Sequence, residues 1–186
     1  NKIESMMEIM VETMIEIVIE SVIERVKDTP DGYQRYGVNI CELSLRSESF
    51  LKWLVESIKD LGDLKKRITF EFPEAWVRYN FDAASRFTRA MNALNIQVGL
   101  DHFGSGFTSL GYLDKMNIEF IKIDGSFVRR VEEKPDVQVI IRSFVEIAHG
   151  LDITVFATCV ETEEEREVLH KLGVDGIQGY FVGQPS

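Results

Sequence analysis

The chain has 186 residues, of which 45% are hydrophobic, and this is enough for one domain with a sizeable core. Its formal net charge of −10 repels nucleic-acid backbone and argues against a DNA- or RNA-binding protein, although a small phosphate ligand stays compatible with a local pocket. No run of about 18 apolar residues lacks a charge, so no membrane span is predicted, and no basic leader with an apolar run opens the chain. Cys41 and Cys159 lack the spacing of a zinc or disulfide site, so we expect reduced thiols and a cytoplasmic location.

Residues 1–28 are predicted to form a long amphipathic helix on the outside of the fold. Glutamates recur every fourth residue from Glu4 to Glu24, and Ile, Met and Val fill most positions between them. Like charges at this spacing disfavour an isolated helix, so we expect packing to hold it. An outer helix of a barrel and a dimerising or signal-transmitting helix both stay open, although the apolar positions do not keep a coiled-coil heptad.

From residue 36 onward, short β-rich runs alternate with helical segments. The predicted strands are Gly37–Cys41, Ile68–Phe72, Ile96–Leu100, Ile118–Ile123, Ile153–Ala157 and Gly176–Phe181. The clearest predicted helices are Ser49–Leu61, Ala83–Leu94, Val137–Gly150 and Glu163–Leu172, the last with Thr162 as its N-cap. This order predicts a single α/β domain over residues 1–186, with six βα-type units in residues 36–186 and a largely parallel sheet.

Polar residues in or just after the predicted strands distinguish an open sheet from a barrel. They are Asn39, Glu71, Asp101, Lys122, Thr158 and Gln178. A doubly wound sheet serves its ligand from two or three strands, whereas a barrel mouth draws on nearly every strand end. The pattern therefore predicts a TIM-barrel-like fold. Since such a barrel needs about eight strands, we expect the first two to lie upstream of this chain.

Several of these residues are suited to holding a divalent cation. Asp101 ends an apolar strand ahead of a glycine-containing loop, and Asn39 and Glu71 lie within apolar strands. Together they offer the oxygen ligands that Mg²⁺ and Mn²⁺ prefer. Lys122 lies between two isoleucines and is predicted to point into the barrel, where it needs a carboxylate or a phosphate. Glu74 is predicted to lie in a loop or to start a helix.

Residues 36–186 contain six motifs in this order: VNICELSL, FEFPE, LDHFGSGFTSL, IKIDGSF, ATCVETEEE and GIQGYF. Together they resemble the EAL domain family, whose active members hydrolyse cyclic di-GMP with two divalent metals. The resemblance implies metal-ligand positions for Asn39, Glu71 and Asp101. It implies a lysine near the attacking water for Lys122 and a brace of the glycine-containing loop for Glu74. Ligand contacts are implied for Asp101, Lys122, Gln178, Ser105, Gly106 and Pro185.

Two positions depart from the pattern of the active family members. Their DDFG reads Asp101-His102-Phe103-Gly104 here, and their AEGVET begins Ala157-Thr158-Cys159. Because histidine and threonine bring no negative charge, at least one hard cation should load poorly. We therefore expect an incomplete metal site, a vestigial role for Lys122 and a degenerate member that binds cyclic di-GMP as a nonhydrolytic receptor, with no metal required for binding.

Two further functions stay open from the sequence. One is an active phosphodiesterase that uses Mg²⁺ or Mn²⁺ to yield pGpG, and the other is a protein-interaction scaffold that needs no nucleotide. The resemblance also implies an upstream GGDEF-type or membrane-anchored sensor region in the whole protein, and it leaves a homodimer open. Nucleic acid is not expected as a partner.

Overall fold

A computed structural model describes residues 2–106 and 110–183, with only the backbone described for residues 2–9. The strands are β1 (Tyr36–Asn39), β2 (Ile68–Pro73), β3 (Gln97–Phe103), β4 (Phe120–Ile123), β5 (Thr154–Ala157) and β6 (Gly176–Ile177). The α-helices are α1 (Lys2–Asp28), α2 (Glu42–Arg46), α3 (Glu48–Ile58), α4 (Glu74–Ala93), α5 (Gly125–Val128), α6 (Pro135–His149) and α7 (Glu163–Lys171). Short 3-10 segments cover Lys59–Arg67, Leu110–Lys115 and Val131–Glu133.

The six described strands belong to one sheet in chain order, from β1 to β6. The pairs with an assigned register are all parallel, so the predicted alternation of strands and helices in a parallel sheet is confirmed. Boundaries differ most at three elements. β3 continues beyond Leu100 through Phe103, β6 is only two residues long, and α4 begins at Glu74 rather than Ala83. Since Pro73 cannot donate a backbone hydrogen bond, it is a natural place for β2 to end.

The chain forms two compact units, and the N-terminal unit comprises Asn1–Phe72 and Tyr79–Val98. In α1, Ile19, Ile23 and Val26 are buried at helical spacing, whereas Met10 and Met14 are largely exposed. Arg67 fixes the segment after α1, because its Nε donates to the carbonyl of Gln34 at 2.8 Å. None of the described helices has the length and apolar character needed to cross a membrane.

The C-terminal unit comprises Pro73–Arg78 and Gly99–Ser186. Its parallel strands bury apolar residues on both sides, as the consecutive Phe120 and Ile121 of β4 show, so helices must cover them. The predicted N-cap of α7 is confirmed. Thr162 accepts from the backbone N–H of Glu165, whose side chain bonds back to the N–H of Thr162 in a capping box.

Candidate functional site

The end of β3 carries a β-bulge. Leu100 pairs with Ile121 and Phe103 pairs with Ile123, so Asp101 and His102 together stand opposite Lys122. His102 has a φ of 52°, which is uncommon for a residue with a side chain. The bulge therefore redirects the side chain at position 102, which a regular strand would have placed on one face of the pleat.

His102 lies between two aspartates of the C-terminal unit. Its Nδ1 is 2.8 Å from Oδ2 of Asp124, and its Nε2 is 3.6 Å from Oδ2 of Asp101. The other oxygen of each aspartate accepts a backbone N–H, from Ser126 to Asp124 Oδ1 and from His102 to Asp101 Oδ1. We call Asp101, His102 and Asp124 the His102 cluster. Sequence reasoning missed Asp124, although its position two residues after Lys122 could have indicated it.

The two ionisable partners in this cluster favour each other's charged forms. The hydrogen bond to Asp124 raises the pKa of His102 against the opposing effect of partial burial. Burial alone would favour neutral Asp124, but hydrogen bonds from Ser126 and His102 hold its pKa below the ordinary aspartate value. His102 is therefore biased towards the cation, and Asp124 towards the anion.

Thr158, directly after β5, is the second position that departs from the family pattern. Its hydroxyl donates to the carbonyl oxygen of Ile123 at 2.9 Å, so it serves as a link between β5 and β4. The next residue, Cys159, is exposed and has a φ of 62° at a position where the family pattern has glycine.

An open cavity of about 380 Å³ lies beside Thr158 in the C-terminal unit. Gln178, directly after β6, lines it together with Arg129 and Glu161. The backbone N–H of Gln178 donates to Ala157 at 2.8 Å, and its carbonyl accepts from Val160 at 3.1 Å. The cavity thus has a fixed backbone wall and a few polar side chains, as small-molecule sites do. Arg129 and Glu161 were not predicted from the sequence.

Glu74 holds the loop after β3. This first residue of α4 is only 1% exposed. Its Oε2 accepts the backbone N–H of Gly104 at 2.9 Å, and its Oε1 accepts the Tyr112 hydroxyl at 2.6 Å. Burial, with a further effect of the Glu74 bond, raises the pKa of Tyr112, so the phenol stays a donor. We call Glu74, Gly104 and Tyr112 the Glu74 cluster.

Gly104 is required in this cluster for two reasons. Its φ is +87°, and a Cβ at this position would lie 2.7 Å from the ring of Phe144. Ser105 follows, and its hydroxyl donates to the carbonyl of His102 at 2.7 Å. Ser105 and Gly106 therefore lie on the loop that leaves the bulge, while the predicted ligand contact Pro185 lies outside the described residues.

In the N-terminal unit, the parallel register places Asn39 of β1 beside Glu71 of β2. Asn39 is exposed, and Glu71 is 5% exposed with its side chain close above Gly37. The neighbouring positions of these two oxygen donors agree with the sequence analysis. Their predicted role as metal ligands stays a prediction.

The candidate metal ligands of the C-terminal unit do not suit the second of the two hard cations that active family members use. Both oxygens of Asp124 have partners, the ring of His102 stands between two carboxylates, and Thr158 brings no charge. Among the side chains described for residues 10–106 and 110–183, no three of His, Cys, Asp or Glu come together as a metal-binding group.

The sequence model of the EAL domain matches residues 4–185. The chain belongs to the EAL domain family. The TIM-barrel-like α/β fold class predicted from the sequence is confirmed by the strand order and by solved EAL structures.

Three relatives of this EAL chain illustrate its family. Cyclic di-GMP phosphodiesterase PdeA of Borreliella burgdorferi is 30% identical over 156 residues, which cover 84% of this chain and 23% of that protein. BlrP1 of Klebsiella pneumoniae, solved with manganese and cyclic di-GMP, matches with a TM-score of 0.78 and 27% identity over 89% of this chain and 42% of that one. LapD of Vibrio cholerae (S helix-GGDEF-EAL), bound to cyclic di-GMP, matches with a TM-score of 0.85 and 24% identity over 94% and 43%. The chain thus spans less than a quarter of its curated relative.

Proposed function

We propose that this EAL domain is a nonhydrolytic cyclic di-GMP receptor, and that it forms the cytoplasmic part of a larger signalling protein. The observation that carries the proposal is the His102 cluster, in which an imidazole stands between Asp101 and Asp124. The same unit contains the open cavity that Gln178, Arg129 and Thr158 line. The ligand can therefore be held where the charges needed for its cleavage are missing.

The loss of hydrolysis follows from the chemistry of two-metal phosphodiester cleavage. Such sites use two cations to generate hydroxide from a water and to neutralise the charge that develops during in-line displacement. His102 and Thr158 stand where the family pattern has carboxylates, and the Thr158 hydroxyl is already bonded to the carbonyl of Ile123. Lys122 alone cannot replace this charge, so its role here is proposed to be ligand binding.

Ligand binding depends on other groups, which the chain retains. We assign contacts with cyclic di-GMP to Asp101, Lys122, Gln178, Ser105, Gly106 and Pro185 on the family resemblance. The Glu74 cluster supports this assignment, because it fixes the loop that carries Ser105 and Gly106. Arg129 in the wall of the cavity adds a cation suited to a phosphate or to a guanine edge.

Calorimetry with cyclic di-GMP in the presence of EDTA tests the receptor function. We expect saturable binding at micromolar ligand, and about tenfold weaker binding by Gln178→Ala. Gln97→Ala is the matched control, because Gln97 is exposed at the start of β3, and it should bind like the wild type. A folded chain that gives no heat with cyclic di-GMP would contradict the receptor proposal and favour a nucleotide-independent scaffold.

An active phosphodiesterase is the second candidate, and the similarity to PdeA of Borreliella burgdorferi favours it. In that case Asn39, Glu71 and Asp101 would be ligands of a residual Mg²⁺ or Mn²⁺, which agrees with the neighbouring positions of Asn39 and Glu71. Chromatography of the products distinguishes the two. We expect no pGpG after long incubation with either cation, and steady pGpG formation would instead establish the enzyme.

The partners of the whole protein are also proposals. The LapD structure contains S helix, GGDEF and EAL parts, which supports an upstream GGDEF-type or membrane-anchored region here. The exposed Met10 and Met14 of α1 are available for contact with such a region or with a second copy.

A further inference from the structure

The imidazole of His102 connects two carboxylates that the backbone has already oriented. Asp101 Oδ1 accepts the N–H of His102 at 2.8 Å, and Asp124 Oδ1 accepts the N–H of Ser126 at 2.9 Å. In each aspartate this leaves Oδ2 to face the ring, at 3.6 Å from Nε2 and 2.8 Å from Nδ1. One side chain is therefore the shared partner of two fixed anionic groups.

The β-bulge at the end of β3 places the ring of His102 in this position. Asp101 and His102 stand together opposite Lys122, and His102 adopts a left-handed backbone conformation. Such a conformation is strained for a residue with a side chain, so the surrounding contacts must compensate for it. The bond to Asp124 and the bond from the Ser105 hydroxyl to the carbonyl of His102 do so.

Two carboxylate oxygens that face each other across a gap form the start of a hard-cation site. Here the gap is filled by a ring that donates to one carboxylate and lies within ion-pair distance of the other. We propose that His102 is an internal substitute for a divalent cation, which holds Asp101 and Asp124 together and keeps Mg²⁺ and Mn²⁺ out of this strand end. This role needs no bound nucleotide, so it can be tested whether or not cyclic di-GMP binds.

Thermal unfolding of the chain in EDTA, in MgCl₂ and in MnCl₂ at constant ionic strength tests the proposal. The wild type should unfold at the same temperature in all three. His102→Asp replaces the bridge with a third carboxylate, so it should unfold at a lower temperature in EDTA and regain roughly 5–10 °C in saturating Mn²⁺. His170→Asp adds the same charge at an exposed position of α7 and should show no recovery with cation.

His102→Ala provides the second variant in case His102→Asp does not fold. It removes the ring and leaves Asp101 and Asp124 facing an empty gap. Mn²⁺ should therefore raise its unfolding temperature, but by less than for His102→Asp. If Mn²⁺ stabilises the wild type as strongly as it stabilises His102→Asp and His102→Ala, the ring does not exclude the cation and the proposal is wrong. It is equally wrong if neither His102 variant responds to Mn²⁺ more than His170→Asp does.

Discussion

The Glu74 cluster and the His102 cluster each hold a carboxyl group in place by hydrogen bonds, but in surroundings of different exposure. In each, one carboxyl group accepts a backbone N–H and a side-chain donor: Gly104 and Tyr112 for Glu74, and Ser126 and His102 for Asp124. Glu74 is buried, whereas the His102 side chain is 56% exposed. A buried donor without an acceptor is costly, and an exposed donor can bond to water instead. The first cluster should therefore govern stability, and the second should govern charge and ligand chemistry.

The largest effect is expected for Glu74→Ala. It leaves the N–H of Gly104 and the hydroxyl of Tyr112 without their acceptor, so the free energy of unfolding should fall by about 4 kcal/mol. Urea denaturation followed by circular dichroism measures this loss. Glu164→Ala, at an exposed position of α7, is the control and should change the value by less than about 0.5 kcal/mol. Similar losses for both variants would refute the structural role of Glu74.

Gly104→Ala should have the next largest effect, a loss of about 3 kcal/mol in the same measurement. The new Cβ combines a φ of +87° with a contact of 2.7 Å to Phe144. Gly173→Ala is a matched control, because Gly173 has a φ of +88° but its nearest neighbour, Val145, lies at 3.3 Å. It should cost only about 1 kcal/mol. Equal losses would show that backbone conformation alone, and not the approach of Phe144, requires glycine.

The smallest effect is the pH dependence of the His102 cluster. A raised pKa means that folded His102 holds its proton more tightly than the unfolded chain does, so its contribution is complete below the ordinary histidine value of 6.5. That contribution disappears as the pH rises through the raised pKa. Asp124 has a lowered pKa, so its contribution is present above the ordinary value of 3.8 and disappears as the pH falls through the lowered pKa.

A double-mutant cycle of His102→Asn and Asp124→Asn measures this dependence. The coupling energy should be larger at pH 5.5 than at pH 9, by less than about 1 kcal/mol because water screens the exposed ring. A coupling energy that is equal at both pH values would mean that the pair contributes no charge-dependent stability. The His102 cluster would then lack the charge-dependent role that distinguishes it from the Glu74 cluster.

Much of the fold was predictable because the signals are local. Alternating β-rich and helical segments predicted the order of the six described strands, and Thr162 as an N-cap predicted the start of α7. One of the two predictions for Glu74, that it starts a helix, is confirmed, although the predicted helix Ala83–Leu94 began too late. The backbone leaves the helical conformation at Asn80 (φ −133°), which interrupts the helical stripe between the buried Val77 and Ala84. The ends of β3 and β6 were missed because pairing with neighbouring strands, and not residue type, decides where a strand stops.

The sequence by itself determined the family, the parallel α/β order and the two departures from the family pattern, His102 and Thr158, since these depend on residue identity and spacing. Only the tertiary structure showed what those two residues do. The β-bulge opposite Lys122 directs His102 towards Asp124, and the pairing of β4 with β5 brings Thr158 to the carbonyl of Ile123. These contacts join residues about 20 to 35 positions apart, through backbone geometry that no local pattern encodes.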